Sequence, residues 1–121
     1  MKHISMGDRR YTLIATERDG QWTARAARDD TGDPFGIECT AVSEAEAIDR
    51  LTRWLEWQHE HRAALEALQQ AERAYHRTIA GSAFASPTEG PSPLEMQKDA
   101  LEVVEAARVR LDEVRARRPE P

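Results

Sequence analysis

The two halves of the chain show two different periods of apolar residues. Between Arg10 and Ala27 apolar side chains alternate with polar ones, which is the period of a half-buried β-strand. From Ser43 to Ile79 they recur at spacings of three and four, which is the period of an amphipathic α-helix. A second helical stretch runs from Pro93 to Arg118. This order of patterns predicts an α+β protein in which the strands precede the helices.

The dipeptide Asp19-Gly20 is typical of a two-residue type I′ turn between antiparallel strands. With this turn, Ala15 pairs with Ala24, and the other positions of both strands follow from that pairing. The register sorts each strand into an apolar face and a more polar face, as a half-buried sheet requires. The predicted apolar face consists of Tyr11, Leu13, Ala15, Trp22, Ala24 and Ala26.

A third strand is predicted after a loop. The segment Asp29–Gly36 contains Pro34 and two glycines, a composition that favours a loop. Beyond it, polar positions alternate with Ile37, Cys39 and Ala41. Residues 1–9 are expected to be a frayed start. The strands therefore form a predicted three-stranded antiparallel β-meander.

The long helix that follows is expected to cover the sheet. Ser43 is the predicted N-cap, and Glu46 three residues later completes a capping box. The first turns present an apolar stripe suited to the sheet face, made of Ile48, Leu51 and Leu55. Residues 1–56 are therefore predicted to form a β-β-β-α unit.

Residues 57–121 are predicted to form a helical hairpin extension that is continuous with the first helix. Ser92, Pro93 and Glu95 are a serine cap, a first-turn proline and a capping glutamate, which begin a second helix. Its apolar residues repeat at spacings of four and three, typical of packed helices: Ala100, Val104, Ala107, Leu111 and Val114. Two such helices joined by a loop predict an antiparallel helical hairpin.

Apolar side chains lie on more than one face of each helix, so one partner helix cannot cover them all. We therefore expect two or more copies of the chain to assemble, most simply as a four-helix bundle. The two neighbouring tryptophans fit the same view, because aromatic side chains are enriched at interface centres. Alternatively, one tryptophan packs beneath the Asp29–Gly36 loop. The predicted interface residues are Trp54, Trp57, Leu65, Leu68, Tyr75, Ile79, Leu101, Val104, Leu111 and Val114.

Charge and composition narrow the possible partners. The net charge of −5 is spread along the chain, and no segment is basic enough to neutralise a phosphate backbone, so nucleic-acid binding is not expected. The sequence contains no run of about 20 apolar residues, so no membrane span is predicted. The first six residues lack the apolar core of a secretory signal. The expected location is the cytoplasm.

The strongest candidate for chemistry is the E-x-x-H motif of Glu56 and His59. In carboxylate-bridged di-iron proteins this spacing places both ligands on one side of a helix. Such a site also needs glutamates from partner helices, for which Glu102 or Glu105 are available. Because the chain has only one such motif, Glu56 and His59 are weak metal candidates, and no metal or other cofactor is expected. The sequence contains no serine-based triad or glycine-rich phosphate loop, so no catalytic residue is predicted.

Three short motifs lie within residues of about 10–55. They are Asp19-Gly20-Gln21-Trp22-Thr23-Ala24, Gly36-Ile37-Glu38-Cys39 and Ser43-Glu44-Ala45-Glu46-Ala47-Ile48, with Leu51. In these motifs the segment resembles the N-terminal domain of HicB-like antitoxins. The resemblance implies a truncated RNase H-like β-β-β-α fold and a role in binding and blocking a small mRNA-cleaving toxin. Members of that family usually carry a C-terminal DNA-binding module, where this chain has the helical stretches.

Three functions are compatible with these patterns. The leading hypothesis is a non-enzymatic protein-interaction or scaffold subunit that assembles with itself, and possibly with another protein, through its helical hairpin. The first alternative is an antitoxin-like inhibitor that binds a small partner toxin or enzyme. The second alternative is a helical metal-binding protein of the di-iron type.

Overall fold

The computed structural model describes residues 1–82 and 92–120 and confirms the α+β class. Four strands form one antiparallel sheet in the order β1-β2-β3-β4, and two helices follow. The strands are β1 (Lys2–Met6), β2 (Arg9–Arg18), β3 (Gln21–Arg28) and β4 (Pro34–Ala41). The helices are α1 (Glu44–Ser82) and α2 (Pro93–Ala116).

The β2–β3 hairpin has the predicted turn and register. Asp19 and Gly20 have φ values of 53° and 79°, and a type I′ turn requires positive φ at both positions. Ala15 lies opposite Ala24, as the turn predicts. The inner face of the hairpin carries its buried side chains, namely Tyr11, Leu13, Ala24 and Ala26.

The prediction of three strands was wrong, because residues near the N-terminus form a fourth. β1 pairs with β2 through a two-residue connection, with Met6 opposite Arg9. Gly7 begins this turn with a φ of 64°, and glycine at that position is typical of type II′ hairpins. The half-buried Ile4 and Met6 pack against the core, so this segment is ordered by contact with the sheet.

The last strand begins earlier than the sequence pattern indicated. The predicted loop extended to Gly36, whereas β4 already includes Pro34 and Phe35. Pro34 is tolerated because β4 is an edge strand, where one missing amide donor is not needed for the sheet. The Phe35 ring stacks on Tyr11 with centroids 4.8 Å apart, which draws this part of the chain into the core.

The first turns of α1 cover the inner face of the sheet. The Ser43 hydroxyl accepts a hydrogen bond from the Glu46 amide at 3.2 Å, so the predicted N-cap is confirmed. The Glu46 carboxylate pairs with Arg50 instead of closing the predicted capping box. The helix buries a stripe against the sheet that comprises Ala47, Leu51, Trp54 and Leu55. Each fully buried leucine contributes about 1.5–3 kcal/mol.

The start of α2 follows its sequence signal. The Ser92 hydroxyl accepts from the Glu95 amide at 3.2 Å, and the Glu95 carboxylate accepts from the Ser92 amide at 3.4 Å. Pro93 occupies the first turn, where a backbone amide has no acceptor within the helix. The absence of an amide proton on proline therefore costs no hydrogen bond there. Neither helix contains, among the described residues, an apolar stretch sufficient to cross a membrane.

The chain divides into two compact units. The first, which we call the sheet unit, comprises Met1–His59 together with the C-terminal residues from Arg118 onward. The second, the helical unit, comprises Glu60–Arg117. α1 contributes residues to both units, since it is one continuous helix through residues 58–62. Each unit has its own buried side chains.

The hairpin turn leads to a first prediction. Gly20→Val should lower the free energy of unfolding by about 1 kcal/mol or more, because a β-branched residue is strained at positive φ. An added Cβ would meet nothing within 4 Å, so the loss would come from the backbone alone. Gly20→Asn is the matched control and should cost much less, because asparagine tolerates this conformation. Urea unfolding followed by circular dichroism measures both, and equal stabilities of the two variants would contradict the type I′ turn.

Candidate interaction surfaces

The two tryptophans of α1 lie side by side in the sheet unit. Their ring centroids are 5.2 Å apart and the planes are inclined by 36°. Trp54 is only 6% exposed and belongs to the core, whereas Trp57 packs against the core and is half-buried. Trp54 therefore belongs to the core between α1 and the sheet and is not an exposed interface residue of this chain.

A cation covers this tryptophan pair. The Arg118 guanidinium carbon lies 4.9 Å from the Trp54 ring centroid and 5.7 Å from that of Trp57. Both distances are within the range of cation–π attraction, which is worth about 0.5–1 kcal/mol at exposed sites. The sequence analysis did not find this contact, because Arg118 lies far from both tryptophans along the chain and no periodicity links them.

A shallow groove in the sheet unit lies beside Pro119 and Glu120 and is lined by charged residues of α1. Its two arginines are already paired on their own helix: Arg50 with Glu46 at 3.0 Å, and Arg53 with Asp49. Ion pairs spaced by four residues on a helix neutralise each other locally. The groove therefore offers an incoming anion little uncompensated charge.

The helical unit buries the inner stripe of each helix. On α2 the buried side chains are Val104, Leu111 and Val114, which belong to the stripe that the sequence pattern identified. On α1, Ala64 and Ala71 are buried, and the predicted interface residues Leu65, Leu68 and Tyr75 are half-buried. Two polar contacts accompany this packing. Arg115 donates to His61 at 3.4 Å, and Arg117 pairs with Glu60 at 3.6 Å.

Only two of the residues predicted for the interface are large apolar side chains that are exposed. Ile79 is 43% exposed and Leu101 is 40% exposed. Several other apolar residues of α2 are more exposed than these. They are Leu94, Met96, Val103 and Val109, with exposed fractions between 50% and 76%.

The metal candidates lie apart from other ligands. Glu56 and His59 are both exposed on α1. Among residues 1–82 and 92–120, no three histidine, cysteine, aspartate or glutamate side chains group as metal ligands. A Cβ added at Gly7 would lie 3.6 Å from the imidazole Cε1 of His59.

Cys39 is the only cysteine of the chain and is completely buried in the sheet unit. Burial raises the pKa of its thiol, which disfavours the thiolate that nucleophilic chemistry requires. Its role is that of a small apolar side chain under α1.

A polar network lies on the outer face of the sheet and in the loop that follows β3. The Thr12 hydroxyl donates a hydrogen bond to the Asp29 carboxylate at 2.5 Å. The Nδ1 of His3 lies 3.1 Å from the hydroxyl oxygen of Thr12. Because Thr12 has only one hydroxyl proton, His3 must be the donor in that second contact. A nucleophilic triad needs the reverse arrangement, with the histidine accepting the hydroxyl proton, so this network is structural.

The same loop contains a bidentate ion pair between Arg28 and Asp30, with nitrogen–oxygen distances of 3.1 and 2.7 Å. The hydrogen bond from Arg28 lowers the pKa of the Asp30 carboxyl and raises that of the guanidinium. The pair is therefore complete above the ordinary pKa of aspartate and is lost as the pH falls below it. It adds to the backbone hydrogen bonds that close the β3–β4 loop, from the Arg28 amide to the Asp33 carbonyl and from the Gly32 amide to the Arg28 carbonyl.

The tryptophan pair gives a second prediction. Trp54→Ala should lower the free energy of unfolding by about 3 kcal/mol or more, because it removes a large buried side chain. Trp57→Ala is the matched control and should cost less, since its ring is half-buried. Chemical denaturation followed by circular dichroism compares them. A larger loss for Trp57→Ala would contradict the assignment of Trp54 to the core.

A third prediction concerns metal. Glu56→Ala and His59→Ala should each change stability by less than about 0.5 kcal/mol, because both side chains are exposed on a helix. Elemental analysis of the purified wild-type protein should find no stoichiometric transition metal. Iron or manganese that is bound by the wild type and lost in both variants would establish the site instead.

Comparison of the chain with protein-family models, with curated proteins and with solved structures found no match. The resemblance of residues 10–55 to HicB-like antitoxins therefore stays a prediction that depends on the motifs quoted for it.

Proposed function

We propose that this protein is a non-enzymatic interaction subunit that assembles with a second copy of itself through its helical unit. The observation that carries the proposal is the exposed apolar surface of α2. Val103 and Val109 are 58% and 57% exposed, although the same helix already buries an apolar stripe. A helix that is solvated on its outer side normally carries polar residues there, so apolar residues on that side favour contact with another molecule.

The remaining features of the chain support binding over catalysis. The described residues hold no metal-ligand group, and the sole cysteine is buried with a raised thiol pKa. The Thr12 hydroxyl is held by Asp29 and is not activated by a base. With a net charge of −5, the chain suits a protein partner in the cytoplasm better than nucleic acid.

A second candidate function is the antitoxin-like inhibitor. It is favoured by the element order β2-β3-β4-α1 and by the type I′ turn at Asp19-Gly20, which match what the resemblance implies. In this case the sheet unit would hold a small partner enzyme while the helical unit joins two copies. The two functions are compatible, because they use different units of the chain.

Self-assembly gives the fourth prediction. Light scattering of the wild-type protein at micromolar concentration should give a mass above the 13.7 kDa of one chain. Leu111→Glu should unfold the helical unit and thereby dissociate the assembly, because Leu111 is 3% exposed within one chain and a carboxylate there, lacking a partner, costs several kcal/mol. The near-ultraviolet circular dichroism of the three tryptophans, which all lie in the sheet unit, reports whether that unit stays folded.

Ile14→Glu is the matched control, since Ile14 is a 43% exposed apolar residue on the outer face of the sheet. It should leave the mass unchanged. A wild-type mass of one chain would refute self-assembly. Dissociation by Ile14→Glu but not by Leu111→Glu would assign the contact to the sheet and refute the role of the helical unit.

A further inference from the structure

One face of α2 combines exposed valines with charges of both signs. We call it the valine face. It lies within an arc of about 120° on the side turned away from Val104 and Leu111, at 100° per residue. All of its side chains are exposed. Its members are Asp99, Glu102, Val103, Ala106, Val109, Arg110 and Glu113.

The outer side of α1 in the helical unit is a solvated helix face with which the valine face can be compared. The corresponding positions of α1 are exposed and carry no apolar side chain larger than alanine; they are Arg62, Ala63, Glu66, Gln69, Gln70, Arg73, Arg77 and Ala80. Two valines that are more than half exposed therefore set the valine face apart from its neighbour. Their exposure is a local property of α2 and not a general feature of the helical unit.

The valine face is nearly palindromic about Ala106. Val103 and Val109 lie three residues to either side of it, and Glu102 and Arg110 lie four residues to either side. When two identical helices pack antiparallel across a two-fold axis, residues equidistant from the axis meet. An axis at Ala106 would therefore bring Val103 beside Val109 of the second copy, and Glu102 beside its Arg110. The alanine at the centre would allow a close approach of about 8 Å between helix axes.

The charge of the whole helix selects the antiparallel direction. Within α2, Pro93–Glu105 carries four carboxylates and one amine, whereas Ala106–Ala116 carries three guanidinium groups and two carboxylates. Antiparallel packing places the acidic half of each copy against the basic half of the other. Parallel packing would place like halves together, which is unfavourable at low ionic strength.

We infer that the valine face of α2 is the homodimer contact, formed by two antiparallel α2 helices that cross at Ala106. This inference rests on the proposed self-assembly and specifies its geometry. The valines supply the dry centre of the contact, and the two symmetry-related pairs of Glu102 with Arg110 fix its register. One pair of residues in this contact is unfavourable, because Asp99 lies opposite Glu113 of the second copy and both are negatively charged. This like-charged pair, which we call the mismatch, provides a test of the register.

The first experiment places a cysteine on the proposed axis. Ala106→Cys in the full chain should form a disulfide-linked dimer on mild oxidation, visible on a non-reducing gel. Background from Cys39 is low because that thiol is fully buried. Gln70→Cys, on the solvated face of α1, is the matched control and should stay monomeric on the gel. Cross-linking of Gln70→Cys but not of Ala106→Cys would overturn the inference.

The second experiment exchanges charges in the full chain. Glu102→Lys or Arg110→Glu alone should raise the dimer Kd about tenfold, because each change creates two like-charged contacts. The double variant should return the Kd to within about threefold of the wild type. Asp99→Lys should lower the Kd about fivefold by converting the mismatch into an ion pair with Glu113. Glu66→Lys, an equal charge change on α1, should leave it unchanged.

Analytical ultracentrifugation at two salt concentrations measures these Kd values. In a parallel dimer Glu102 would lie opposite Glu102 of the second copy. Neither Glu102→Lys nor Arg110→Glu alone would then change the Kd, and Asp99→Lys would not lower it. That result would overturn the inference while leaving self-assembly intact. A wild-type protein that sediments as a monomer would instead refute the proposed function and this geometry together.

Discussion

The sheet unit depends on small side chains at the contact between α1 and the sheet. Ala24, Cys39 and Ala47 are each completely buried there, and together they let the helix lie close to the strands. Gly36 belongs to the same contact, since a Cβ on it would lie 3.1 Å from a methyl of Leu55. Large residues of α1 can then fill the remaining space. Leu51 and Leu55 are buried against the sheet because its own side chains leave room for them.

The sequence predicted those parts of the fold in which local chemistry and burial agree. The Asp19-Gly20 turn has one preferred geometry, and that geometry puts Leu13 on the buried face. The cap at Ser92 is equally local, because all of its partners lie within three residues. β1 was missed because a strand of five residues has a weak period, and its order comes from pairing with β2. The Gly7-Asp8 dipeptide was the signal that could have revealed it.

The candidate surfaces were harder to predict, since each depends on where a side chain points. The spacing of apolar residues could not show which of Trp54 and Trp57 is buried, because both lie near the apolar stripe of α1. The structure places Trp54 inside because it lies seven residues after Ala47, two helical turns along the same face. Val104, Leu111 and Val114 were predicted to meet another chain, but their side chains are already covered within this one. The large apolar side chains that remain exposed beside them include Val103 and Val109.

The two sides of α2 have different compositions, and the difference suits different tasks. The inner stripe is wholly apolar at its buried positions, which gives a stable but poorly directional contact. The valine face mixes two valines and an alanine with charges of both signs, so its apolar area is small. A small apolar centre limits affinity, because association must first offset the loss of translational and rotational freedom. Charges around it add direction and register more than strength. The proposed contact is therefore suited to a reversible dimer whose two copies meet in one defined orientation.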